Sequence, residues 1–184
     1  MHFYKLSGAL ILLLLYTISV YSQQNEAVTE LSLGVSEVSL VKATSGVVTL
    51  QLKQREAGLS LETSTSDSTA RLLISSVVSE QPRTLSARIS DGIVPPGTQI
   101  QLEALPPNVN FVGNAGVYSN PIILDNVDKP FVTEITTCYS GTDLSDGYSL
   151  KFTFSLNADR STYGSIRAST NTSVSVTITL TEAI

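Results

Sequence analysis

The side chains of this sequence that could carry acid–base chemistry are carboxylates: Glu56, Glu62, Glu80, Glu103, Glu134 and Asp143. Two of them held as a tuned pair would suffice for glycoside hydrolysis, one protonating the leaving oxygen and the other attacking or activating water. They follow no recognisable spacing, and no catalytic residue is assigned among them. Two acidic groups, Asp125 with Asp128 and Asp143 with Asp146 beside Gly147, offer the oxygen ligands that calcium takes. Neither has the dense Asp/Asn spacing of an EF-hand or a nonapeptide repeat, so they read as turn formers; no metal ligand and no cofactor is expected. In a chain without Trp, Tyr118, Tyr139, Tyr148 and Tyr163 are the side chains able to stack on sugar rings, although Tyr148 reads first as strand packing.

Missing parts remove most other chemistry. The one His of the sequence is His2, inside the segment read below as an export signal. Ser-His-Asp and Cys-His hydrolysis therefore lack their base, and zinc lacks its usual ligand. No G-x-S-x-G, P-loop or dinucleotide fingerprint occurs, and Gly113-Asn114-Ala115-Gly116 is a turn sequence. Cys138 has no second Cys to bridge within the chain; it reads as a buried, unreactive thiol, with an intermolecular disulfide as the other use. Asn171-Thr172-Ser173 has the form of an N-glycosylation sequon. The net charge of the full chain is −5, and its basic residues, among them Lys53, Arg55, Arg71, Arg83, Arg88, Lys151, Arg160 and Arg167, are scattered, which argues against nucleic acid as a partner.

The elements that must position these residues are strands. Lys5, the apolar run at residues 9–15 and the small residue Ser22 form an export signal over residues 1–22, too short in its apolar core to span a bilayer comfortably, and no later segment is apolar enough to do so. Residues 23–184 then read as one domain. Ser and Thr make up about a quarter of the chain while good helix formers are sparse. Apolar residues recur at period two. The clearest runs are Tyr148, Leu150, Phe152, Phe154 and Leu156, and Val174, Val176, Ile178 and Leu180, each expected to turn one face to the core. Further strands are expected at Leu31-Leu33-Val35, Val38-Leu40, Val48-Leu50-Leu52, Leu85-Ala87-Ile89 and Ile100-Leu102-Ala104. The continuous apolar runs at residues 71–78 and 121–124 read as central or doubly covered strands, and residues 60–69 as a long loop or a solvent-facing edge. Eight to ten short strands separated by turn chemistry specify an all-β fold, a single antiparallel β-sandwich of Greek-key, immunoglobulin-like or pilin-like type, after a signal-peptide helix.

The segment Leu31-Ser32-Leu33-Gly34-Val35, the stretch TEITTCYSGTDLSDG at residues 133–147, the closing Val/Thr ladder and a signal ending in Tyr-Ser-Gln together resemble small secreted β-sandwich proteins of the Bacteroidota. That resemblance implies no activity and carries no site residue. The chain is also similar, more faintly, to pilin-like and spore-coat-type subunits, which assemble by sharing strands; it departs from them in having one Cys where many have a bridging pair. The expected function is that of a secreted, non-enzymatic structural or surface-assembly subunit meeting itself or other surface proteins by strand pairing. A carbohydrate- or ligand-binding module with a glycan partner is the alternative, and a carboxylate-dependent glycosidase a third reading.

Overall fold

The structure is a computed structural model, and it describes residues 29–43, 47–54, 56–143, 145–168 and 172–182. The segment expected to be an export signal, residues 1–22, and Asn171 of the sequon lie outside the described residues. Two compact units divide the chain, Met1–Val35 and Ser36–Ile184. In the described part of the first, residues 29–35, no strand forms, so the strand expected at Leu31-Leu33-Val35 is corrected to an unpaired segment.

From Ser36 on, the chain is nearly all β. Its strands are β1 (Val38–Ala43), β2 (Ser64–Val77), β3 (Arg83–Gly92), β4 (Thr98–Leu105), β5 (Val112–Gly113), β6 (Val117–Tyr118), β7 (Ile122–Ile123), β8 (Lys129–Ile135), β9 (Cys138–Tyr139), β10 (Tyr148–Leu156) and β11 (Val174–Glu182), with one 3-10 helix (Arg160–Ser165) before the last. They form two antiparallel sheets packed face to face. The larger has seven strands, β5-β9-β2-β10-β4-β7 with β1 on β2, and the smaller has four, β11-β3-β8-β6. This is the expected all-β sandwich.

The core follows from alternation. In β2 the residues Ala70, Leu72, Ile74 and Ser76 are buried while Arg71, Leu73 and Ser75 between them face outward. The apolar run read as a central strand is therefore central and one-sided. Leu102 and Ala104 of β4 and Tyr148 and Leu150 of β10 complete that face; Leu85 and Ala87 of β3 with Phe131, Val132 and Ile135 of β8 meet it from the other sheet. Tyr148 is the largest buried side chain among the described residues. Phe111 and Tyr118 pack edge-on to its ring, at centroid distances of 5.6 and 6.1 Å, and its hydroxyl donates to the Ala115 carbonyl at 2.8 Å.

Several expectations are corrected here. Burial alternates in β10 only as far as Leu150, and there its register with β2 shifts, since β2 carries an extra residue: Leu150 opposes Ala70 but Phe152 opposes Asp67. That bulge is held by Asp67 Oδ1, which accepts from the Thr69 N–H and hydroxyl at 2.9 and 2.6 Å. Beyond it Phe152 is half-buried against the core, and Phe154, like Val174 in β11, is half-buried outside the core cluster. Of residues 60–69, read as a long loop or a solvent-facing edge, residues 64–69 are the first half of β2, mostly exposed and laddered to β10 on one side alone, which agrees with the edge. Residues 121–124 supply only the two-residue edge β7, although Leu124 is buried. Val48, Leu50 and Leu52 form no strand, yet they alternate half-buried with exposed neighbours. Ten residues on from Ala43 and ten back from Leu72 lie Lys53 and Glu62, joined by a backbone hydrogen bond of 2.9 Å, so the β1–β2 register recurs at that point.

The difference between the two aromatic positions is measurable. Tyr148→Ala should cost about 3–5 kcal/mol, and Phe152→Ala, with a half-exposed ring, only about half as much. Urea unfolding of the two variants checks this ordering, which an equal loss at both positions would contradict.

Candidate functional site: the open edge of the smaller sheet

Val, Thr and Ile alternate along β11 because β-branched side chains fit a pleated, half-buried surface. The strand pairs along its length with β3 on one side. On its outer side it meets β1 near Leu180, whose carbonyl accepts from Ser39 Oγ at 3.4 Å. Among the described residues no ladder covers its other half, from Val174 to Ile178.

The seam between β1 and β11 is closed at one end by Arg83. This side chain shares the inward parity of Leu85 and Ala87 and is buried. It donates to the Val38 carbonyl at 2.6 Å and to the Val77 carbonyl at 3.4 Å, and it lies 3.8 Å from Glu37 and 3.9 Å from Glu182. Strands of both sheets are thereby tied to one guanidinium. The Ser79 hydroxyl and N–H, and behind them Arg83, hold the Glu37 carboxyl below the usual range. At the far end of β11 lies an open cleft of about 440 Å³ lined by Ile93, Val94, Pro95, Pro96, Thr172 and Ser173.

The carboxylates singled out by type are dispersed over the fold. Glu103 pairs across strands with Lys151 at 3.1 Å. Glu134 is exposed with φ of 58°, the extra residue of a β8 bulge opposite Arg83 and Leu85, and its carbonyl accepts from Asn114 Nδ2. Gly116, at φ of 80°, lies so close to the Thr133 carbonyl that no Cβ would fit there. Asp125 accepts from Lys129 Nζ at 2.5 Å and the Val127 N–H at 2.9 Å, while Asp128 faces Arg88 at 3.8 Å. Among the described residues no three His, Cys, Asp or Glu side chains come together as a metal cluster.

Asp146 is buried and its oxygens are taken. Oδ1 accepts from Asn108 Nδ2 at 2.9 Å and Asn110 Nδ2 at 2.8 Å, and Oδ2 from the Asp143 N–H at 3.0 Å. These donors, the Asn108 amide foremost, hold its carboxyl below the usual range. Asp146 thus ties the turn after β4 to the turn before β10, a role its place beside Gly147 did not reveal. The tyrosines form no single platform: Tyr148 is core, Tyr118 leans on it, Tyr139 stands exposed on β9, and Tyr163, on the 3-10 helix, accepts from the Leu61 N–H at 3.0 Å. Cys138 is a free thiol, 5% exposed, and burial pushes it up to about 11. Comparison of the chain with protein-family models, with curated proteins and with solved structures finds no match.

A depressed carboxyl stabilises the fold while it is charged, so its contribution is present above the ordinary carboxylate range and is lost as pH falls through its folded value. Asp146→Asn should therefore lower the melting temperature at neutral pH, and the gap to wild type should narrow below about pH 4. Thermal melts across that range test the assignment; a gap that stayed constant would remove it.

Proposed function

We propose that this chain is an exported, non-enzymatic structural or surface-assembly subunit that associates through the outer edge of β11. The observation that carries this reading is the contrast among edges. β5, β6 and β7 are two residues long, the kind of edge that offers a partner little, and β1, six residues long, carries Lys42, a residue that blunts an edge. β11 runs for nine residues, has no Lys or Pro, and carries a single charge, Glu182, at the Arg83 end. An uncovered strand of that length presents a row of backbone donors and acceptors, and strand addition satisfies them while alternate side chains set specificity. The engaged state of Glu103, Asp125, Asp128 and Asp146 supports a structural rather than a catalytic use of the acidic groups.

A second reading, a glycan-binding module, is favoured by one feature. Tyr139, 54% exposed, borders a cleft of about 310 Å³ with Val112, Gly113 and Thr137, a ring face beside an apolar hollow. A glycan array decides for or against it.

Lysine on an edge strand discourages pairing with another chain. Ser175→Lys and Thr177→Lys should leave the circular dichroism spectrum unchanged and shift the protein to monomer in light scattering. Assembly that survives both substitutions would reject β11 as the joining edge.

A further inference from the structure

The described residues ahead of Ser36 hold a second uncovered feature. Leu31, Leu33 and Val35 are 78, 89 and 88% exposed, and they alternate with Ser32 and Gly34. In an extended chain that spacing puts all three on one side. Three large aliphatic side chains in water on one side of a short segment mark a surface meant to be covered.

We infer that the strand completing β11 is residues 31–35 of a second copy of this chain; this rests on the reading of β11 as the joining edge. Three observations converge on that occupant. The segment and the open stretch from Val174 to Ile178 are each five residues long, about 17 Å of strand. Their patterns match, so Leu31, Leu33 and Val35 would lie beside Val174, Val176 and Ile178 over the gap between the sheets, with Ser32 and Gly34 beside Ser175 and Thr177. Neither five-residue stretch carries a charge, so pairing buries none.

The position of the two features sets the form of the assembly. Two residues, Ser36 and Glu37, join Val35 to β1, whose start is held at Arg83, while the open stretch of β11 is at the other end of that strand. The two are different surfaces of the chain, so a contact of one on the other between two copies is heterologous. Such a head-to-tail interface leaves a donor segment free at one end and an open edge at the other, and it propagates as a chain unless the rotation closes a ring.

Leu33 and Val176 are the middle residues of the two stretches, so they are opposed whether the strands run parallel or antiparallel. Full-length Leu33→Cys and Val176→Cys proteins, mixed under mild oxidation, should give a disulfide-linked dimer on a non-reducing gel, whereas Leu33→Cys with Asn126→Cys should not. A chain carrying both Leu33→Cys and Val176→Cys should give a ladder of linked oligomers; a band linked only within itself would overturn a second copy as the occupant. Leu33→Asp, at an exposed position, should leave the fold intact and yield monomer. If Ser175→Lys disrupts assembly while Leu33→Asp does not and no cross-link forms, the edge reading stands and this inference fails. A wild-type protein monomeric at every concentration would overturn both.

Discussion

A guanidinium inside the sandwich, that of Arg83, holds together the corner where the chain passes from one sheet to the other. β2 ends at Val77 in the larger sheet and β3 begins at Arg83 in the smaller one, and Val38 with Val77 is the last pair of the β1–β2 ladder at that crossing. Carbonyls turned inward without partners would be costly, and Arg83 supplies donors to those of Val38 and Val77 from a single side chain. Its own charge is offset by Glu37 and Glu182, both partly in solvent, which spares the site the full penalty of a buried ion pair. Nε finds no partner among the described residues. A hydrocarbon of equal size would pack at this position but would supply neither donor.

The open edge is a consequence of that corner. β1 belongs to the larger sheet and β11 to the smaller, and Arg83 draws both to one point while Ser39 and Leu180 make the next contact along the seam. Past it no ladder joins the two strands among the described residues, so this side is closed at the Arg83 end and open at the other. Of the other edge strands, β5, β6 and β7 are two residues long, and β1, six residues long, carries Lys42. The proposed activity of the molecule therefore sits where its closure is incomplete.

The polar groups elsewhere serve the turns. Asp146 gathers donors from Asn108, Asn110 and Asp143, Asp67 braces the β2 bulge, Asp159 caps the 3-10 helix by accepting from the Ser161 N–H, and Asn114 spans from Gly116 to the Glu134 carbonyl. Each replaces a backbone partner that an irregular segment lacks, which is the common use of short Asp and Asn side chains. A sandwich held without a disulfide relies on these ties together with the Tyr148-centred core.

The period of two over Tyr148 to Leu150 and along β3, β4 and β11 was enough to establish a β protein, because alternation about a pleated strand is a local property of the chain. The absence of His after His2 and of a second Cys was equally plain in the composition. What the chain could not disclose was pairing. Residues 31–35 and β11 carry the same alternation, yet one is unpaired and the other is laddered, since a strand exists only where another backbone answers its hydrogen bonds. The inward turn of Arg83, the convergence on Asp146 and the half-buried state of Phe152 beyond the bulge depend likewise on partners distant in sequence; Ser39 and Leu180, which meet at the seam, lie 141 residues apart. Local pattern determined which segments could be strands, and only the tertiary fold decided which edge was left without a partner, because an edge is defined by what does not lie beside it.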